Sequence, residues 1–96
     1  MVFLFVLTAG SRTEAVETVA ELAASARALG HSVEVFMAGD GVAHAGALAG
    51  QMPVTVCEAD LRWRQTQPPE IPGVRRGSLV DLARQCRDAD RVMVFS

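Results

Sequence analysis

The residue best placed for chemistry is Cys57, which follows a short run of β-branched residues, Val54-Thr55-Val56. A polar, helix-compatible segment begins immediately after it, so the pattern predicts a strand, a thiol at its end and a helix start. In a parallel α/β sheet, ligands bind at the carboxyl ends of the strands. Backbone N–H groups at a helix start favour the thiolate form of a cysteine. Cys57 is therefore a candidate nucleophile or sulfur carrier, although many buried cysteines act only as small apolar side chains.

Further polar residues follow two other predicted strands. Thr8, Gly10 and Ser11 come after the first strand, and Asp40 and Gly41 come after the second. If these strands are parallel neighbours of the cysteine-bearing strand, their ends supply hydroxyls, a carboxylate and backbone amides to one small pocket. The first loop has neither a P-loop nor a Gly-x-Gly-x-x-Gly pattern, so an ordinary strand-to-helix turn is the alternative. For Asp40 the alternative is capping of the following turn.

Four arginines lie just before or near the end of a segment that is rich in proline and glycine, Gln65–Gly77. These are Arg62, Arg64, Arg75 and Arg76. They form either a positive patch near the cysteine, suited to anionic sulfur species, or a solvated face. Cys86 belongs to the apolar stripe of the last predicted helix, and we expect it to pack in the core. Neither His31 nor His44 has a second His or Cys at metal-ligand spacing, so no metal site is predicted.

The composition bounds the class of protein. The chain has 96 residues, 50% of them apolar, with a net charge of −2 and a mean hydropathy of +0.24. This length predicts one domain, residues 1–96. There is no basic excess for nucleic acid, and no apolar run reaches the roughly 18 residues that a membrane span needs. Met1–Leu7 is apolar but lacks a basic leader and a cleavage site, so we expect a cytoplasmic protein with reduced thiols.

Apolar runs and helical stripes alternate along the chain. Strands are predicted at Val2–Leu7, Ser32–Met37, Val54–Val56 and Arg91–Phe95, and the broken segment has room for a very short one at Gly73–Arg75. Uninterrupted apolarity in the outer two runs is typical of strands buried on both faces. The sequence therefore predicts an α/β fold, a mainly parallel sheet of four to five strands with helices on both faces. So many apolar residues in a short chain also favour self-association.

Five segments lie in order along nearly the whole chain: FLFVLTAGS, GHSVEVFMAGDGV, VTVC, GVRRGSLVDLAR and DRVMVF. Together they resemble the DsrE/DsrF-like family, which includes TusD-like sulfur-relay proteins. The resemblance implies a three-layer α/β/α fold, a trimer or hexamer, and a persulfide carried on a cysteine at the end of the third strand. Cys57 falls on that position. Family members often continue as Cys-x-x-Cys and then Arg-Gly; here Asp60 replaces the second cysteine, Arg64 matches the arginine and Gln65 replaces the glycine.

The resemblance thus implies a small sulfur carrier that accepts and passes sulfane sulfur on Cys57. As an enzyme it would be a sulfurtransferase-type persulfide carrier with no cofactor, and its partners would be sulfur donor and acceptor proteins. The predicted pocket residues are Thr8, Gly10, Ser11, Asp40 and Gly41, with Arg64 assisting anion binding or packing. The alternative is a non-catalytic, oligomeric binding module for a small anion or nucleotide. A flavodoxin-like FMN binder is weaker, because the first loop has few Ser or Thr residues.

Overall fold

Five parallel strands form one sheet in a computed structural model that describes residues 1–8, 13–48, 51–63 and 73–96. The strands are β1 (Val2–Leu7), β2 (Ser32–Met37), β3 (Val54–Cys57), β4 (Val74–Gly77) and β5 (Arg91–Phe95). Their order across the sheet is β4-β3-β2-β1-β5, and all four pairings are parallel. The predicted mainly parallel α/β fold is therefore confirmed, and the very short strand expected at Gly73–Arg75 corresponds to β4.

Helical segments connect successive strands. They are α1 (Thr13–Ala28), a 3₁₀ helix (Gly39–His44) that continues into α2 (Ala45–Leu48), α3 (Glu58–Trp63) and α4 (Leu79–Asp88). Ser11, two residues before α1, lies outside the described residues. Within the part of the chain that the structure describes, no helix is long and apolar enough to cross a membrane.

The main core lies between the sheet and α1. Apolar residues of α1 recur at helical spacing and are buried, among them Val19 and Ala23. They pack with strand residues such as Phe5, Val35 and Val54, which lie in the three central strands. This cluster covers one face of β1, β2 and β3.

The other face of the sheet is covered by α4. Leu4, Val6, Phe36 and Cys57 form a second buried cluster there, with Leu82 and Ala89 packed against it. No residue of α4 is itself fully buried. The helix contacts the sheet along a narrow line and leaves much of its own apolar stripe in solvent.

Two sequence-based predictions are wrong because of this narrow contact. Cys86 is exposed, although its position on the stripe predicted a core residue. In β5, Val92 and Val94 are 42% and 64% exposed, although the run predicted a buried strand. The apolar pattern identified the elements correctly, but it could not show that a single ten-residue helix has to cover this face.

Candidate functional site

Cys57 is the last residue of β3, and α3 begins at the next residue, as the sequence predicts. The strand forms because β-branched Val54, Thr55 and Val56 suit a buried, pleated position. The Cys57 side chain belongs to the cluster on the α4 face and is 3% exposed. The thiol therefore lies at the carboxyl edge of the sheet, covered by its neighbours.

A cleft of about 330 Å³ opens beside this thiol. One wall is the start of α3 and the other is the junction between β4 and α4. The lining residues are Cys57, Glu58, Ala59, Asp60, Arg62, Gly77, Ser78 and Leu79. The cleft is large enough for a small anion or for a side chain from another molecule, and Cys57 is the residue in its lining with nucleophilic chemistry.

Gly77 gives this cleft its shape. It is the register partner of Cys57 on the neighbouring strand, and it is buried. A Cβ atom at this position would lie 2.7 Å from Thr55 Cγ2 and 3.0 Å from Asp81 Oδ2. Both contacts are too short, so the close approach of β4 and α4 to β3 depends on the missing side chain.

A capping box starts α4 at the cleft. Ser78 is the N-cap: its backbone N–H donates to Asp81 Oδ2 at 2.7 Å, and its Oγ accepts from the Asp81 backbone N–H at 3.4 Å. The Ser78 N–H holds the pKa of the Asp81 carboxyl below its ordinary value, against a smaller opposing effect of burial. This box fixes the direction of α4 as it leaves the cleft.

Asp60 links α3 to the segment that follows β2. Its Oδ2 accepts a 2.7 Å hydrogen bond from the backbone N–H of Gly39, the first residue of the 3₁₀ helix that follows β2. Because Asp60 is three residues after Cys57, this bond ties the first turn of α3 to the loop that follows the neighbouring strand.

The charges of Glu58 and Arg62 largely cancel. Arg62 Nη2 lies 3.1 Å from Glu58 Oε1, one turn away on α3, and both side chains are substantially exposed. An exposed pair of this kind contributes little to stability. Of the predicted positive patch, Arg75 and Arg76 are exposed on β4, and Arg64 lies outside the described residues. Among the described residues no cluster of His, Cys, Asp and Glu could hold a metal ion.

The other predicted site residues divide into two groups. Gly10 and Ser11, like Arg64, lie outside the described residues. Thr8, Asp40 and Gly41 follow β1 and β2 at the same edge as Cys57, but they are not part of the lining of this cleft.

Thr8 and Gly41 have structural contacts at that edge. The Thr8 N–H donates to the Phe95 carbonyl at 2.9 Å, and its hydroxyl approaches the same oxygen at 3.4 Å. Gly41 is buried with its Cα against the Leu7 carbonyl, where a Cβ atom would overlap the backbone. Asp40 is exposed in the 3₁₀ helix.

Gly77 and Ser78 are site residues that the sequence analysis missed. The sequence predicts the short strand before them and the helix after them. Their place beside Cys57 depends on β4 pairing with β3, and nothing in the pattern specifies that pairing.

Comparison with known proteins supports the fold. No protein-family model and no curated protein sequence matches the chain. A solved structure does match, the ychN protein from E. coli, with a TM-score of 0.75 and 23% sequence identity over 98% of this chain and 97% of that one. That protein has a DsrE-like fold. At this level of identity the similarity establishes a shared fold over the whole chain.

Proposed function

We propose that this protein accepts sulfane sulfur on Cys57 and passes it on as a persulfide. The observation that carries the proposal is the position of Cys57, at the carboxyl end of a central strand and in the lining of a cleft. The similarity of five sequence segments to the DsrE/DsrF-like family and the DsrE-like fold of a structural neighbour support it.

The transfer needs the thiolate of Cys57 and no cofactor. The Cys57 thiolate attacks the outer sulfur of a persulfide or polysulfide donor, forming a new S–S bond to Sγ. The S–S bond of the donor breaks, and its electron pair leaves with the donor sulfur as a thiolate. An acceptor thiolate then attacks the outer sulfur on Cys57 and releases the Cys57 thiolate. Each step exchanges one S–S bond for another, so there is no net oxidation or reduction.

The surroundings of Cys57 suit a carrier. At 3% exposure the inner sulfur is shielded by Leu4, Val6 and Phe36, which directs an attacking thiol to the outer sulfur. The outer sulfur of a persulfide would extend into the cleft between α3 and the start of α4. Donor and acceptor proteins, acting in the cytoplasm where thiols stay reduced, would present their cysteines to this opening. We further propose that the protein is a homo-oligomer, a trimer or a hexamer.

The same burial favours a second candidate function. A thiol packed in an apolar cluster can be a small core residue, and the cleft would then bind an anion or nucleotide without covalent chemistry. The two functions differ in a pulse-chase experiment. Protein treated with polysulfide and then desalted should keep a mass gain of about 32 Da, one sulfur atom. A small thiol should then remove that gain. A binding module would lose its ligand on desalting and show no gain on the Cys57 peptide.

A further inference from the structure

Side chains on the α4 face of the sheet are buried on β1 but exposed on the neighbouring edge strand, β5. On the α4 face, Leu4 and Val6 of β1 are 0% and 7% exposed. Their register partners on the next strand, Val92 and Val94, are 42% and 64% exposed. Register partners in a parallel pair point to the same face, so the two valines form an apolar margin that α4 does not cover. On the opposite face Met93 and Phe95 pack against the main core.

The backbone of β5 is also open on one side. Among the described residues the strand pairs with β1 alone and lies at the end of the sheet. The Asp90 N–H donates to the Val2 carbonyl at 2.8 Å. Because peptide groups alternate in direction along a strand, Arg91 and Met93 direct N–H and C=O groups away from β1. Such a row of unpaired groups is a template for another strand.

Natural sheets usually protect an edge of this kind with charged side chains. The strand at the opposite end of the sheet, β4, carries the exposed Arg75 and Arg76. In β5 the one charged residue is Arg91, and its Nη1 donates to the carbonyl of the preceding residue, Asp90, at 2.8 Å. The guanidinium is therefore held beside its own chain, and Val92, Met93 and Val94 carry no charge.

The sequence of β5 is complementary to itself. If two copies pair antiparallel about a twofold axis at Met93, Val92 of each copy lies opposite Val94 of the other. All four valines are then on one face, as β-branched cross-strand pairs. Arg91 lies opposite Phe95 of the second copy, and no like charges face each other. A twofold contact of this kind needs the same patch on both copies.

We infer that the β5 edges of two copies pair antiparallel about a twofold axis at Met93, joining the two sheets into one. The inference goes beyond the sulfur-transfer proposal and does not depend on it. It also specifies the symmetry of the assembly. A twofold contact makes an even number of copies, so a hexamer is compatible with it and an isolated trimer is not.

Matched arginine substitutions test this contact. Val94→Arg places a charge on the proposed interface, and Val80→Arg places one on a valine of α4 with 59% exposure. Light scattering over a concentration series should give an even multiple of the chain mass for the wild type. Val94→Arg should reduce that mass twofold, and Val80→Arg should leave it unchanged. A monomeric or trimeric wild type, an unchanged mass for Val94→Arg, or an equal loss in both variants overturns the inference.

A cross-link tests the register without disturbing the interface charge. Cys57→Ser and Cys86→Ser first remove the two native cysteines. Met93→Cys in this background would then place the new cysteine opposite the same cysteine of the second copy. Mild oxidation should convert most of the protein to a disulfide-linked dimer, and the matched Val80→Cys variant should remain monomeric on a non-reducing gel. No dimer from Met93→Cys, or equal dimer from both variants, contradicts pairing at this position. Sulfur loading of Cys57 is measured separately, so failure here leaves the proposed function intact.

Discussion

The backbone N–H of Gly39 donates to the carboxylate of Asp60 at 2.7 Å, which fastens the loop after β2 to the helix that begins beside Cys57. This carboxylate stands where the DsrE/DsrF-like pattern often has a second cysteine. The contact gives Asp60 a structural role at the site, because it fixes the first turn of α3 relative to the neighbouring strand.

We predict that Asp60→Ala lowers the free energy of unfolding by about 1–2 kcal/mol, since it leaves the part-buried Gly39 N–H without this acceptor. Asp60→Asn keeps a carbonyl acceptor and should lose less. Urea denaturation measures both. Asp88→Ala, at an exposed ion pair on α4, is the control and should change stability much less than Asp60→Ala. Equal effects of Asp60→Ala and Asp88→Ala would show that the Gly39 contact is unimportant.

Gly77→Ala should disturb the wall of the Cys57 cleft. The new Cβ would lie 2.7 Å from Thr55 Cγ2, and we expect a loss of about 1–3 kcal/mol from overpacking. Thr55→Ser removes that methyl group and provides a direct test of the cause. In the Thr55→Ser background, Gly77→Ala should cost less than it does alone. Additive costs in this double-mutant cycle would mean that the contact with Thr55 is not the source of the strain.

The capping box at Asp81 should make stability depend on pH. The Ser78 N–H lowers the pKa of Asp81 in the folded protein. The ionised carboxylate therefore stabilises the folded state above the unfolded pKa of about 3.9, and this contribution is lost as the pH falls through the lower, folded pKa. The stability difference between wild type and Asp81→Asn should be constant near neutral pH and shrink below about pH 4.

Ser78→Ala separates the two halves of this box. It removes the hydroxyl that caps α4 but keeps the backbone N–H that is the largest cause of the Asp81 shift. We expect lower stability at every pH, with most of the acid-dependent loss retained. If the stability difference between wild type and Asp81→Asn stays constant down to the acid transition, the lowered pKa of Asp81 is not the origin of the pH dependence.

The two cysteines should react at different rates with an alkylating reagent. Cys86 is exposed and Cys57 is buried, so iodoacetamide should modify Cys86 first in the native protein. Peptide mapping after a short reaction measures the order. Cys86→Ala should change stability by less than about 0.5 kcal/mol, as for other exposed positions. Faster modification of Cys57 would show that the cleft opens more often than the structure indicates.

The exposure of Cys86 also illustrates what the sequence could predict. Continuous apolar runs such as Val2–Leu7 and β-branched residues before Cys57 were enough to predict the parallel sheet and the thiol at its edge. Both signals are local. The exposure of Cys86 and Val94 and the place of Ser78 depend on how far α4 reaches across the sheet. That reach is a tertiary property, and helical periodicity alone does not contain it.

Gly41 and Asp60 show the same limit at the site. A glycine after a strand was predicted to line the pocket, whereas Gly41 is packed against the Leu7 carbonyl. Asp60 was noted only as the replacement of a second cysteine, and its carboxylate is bound by the Gly39 N–H. In both cases the partner belongs to a neighbouring strand or to the segment that follows it, which sequence spacing cannot specify.

Locating the residue that takes up sulfur tests directly whether Cys57 carries a persulfide. Wild type, Cys57→Ser and Cys86→Ser are incubated with polysulfide, desalted and analysed by intact mass and peptide mapping. If Cys57 carries the persulfide, wild type and Cys86→Ser should each gain about 32 Da. The gain should lie on the Cys57 peptide, and a reducing thiol should remove it. Cys57→Ser should show no such gain at residue 57 and no transfer to an acceptor thiol. Loading that persists in Cys57→Ser but disappears in Cys86→Ser, or a wild type that gains no sulfur, would contradict a persulfide on Cys57.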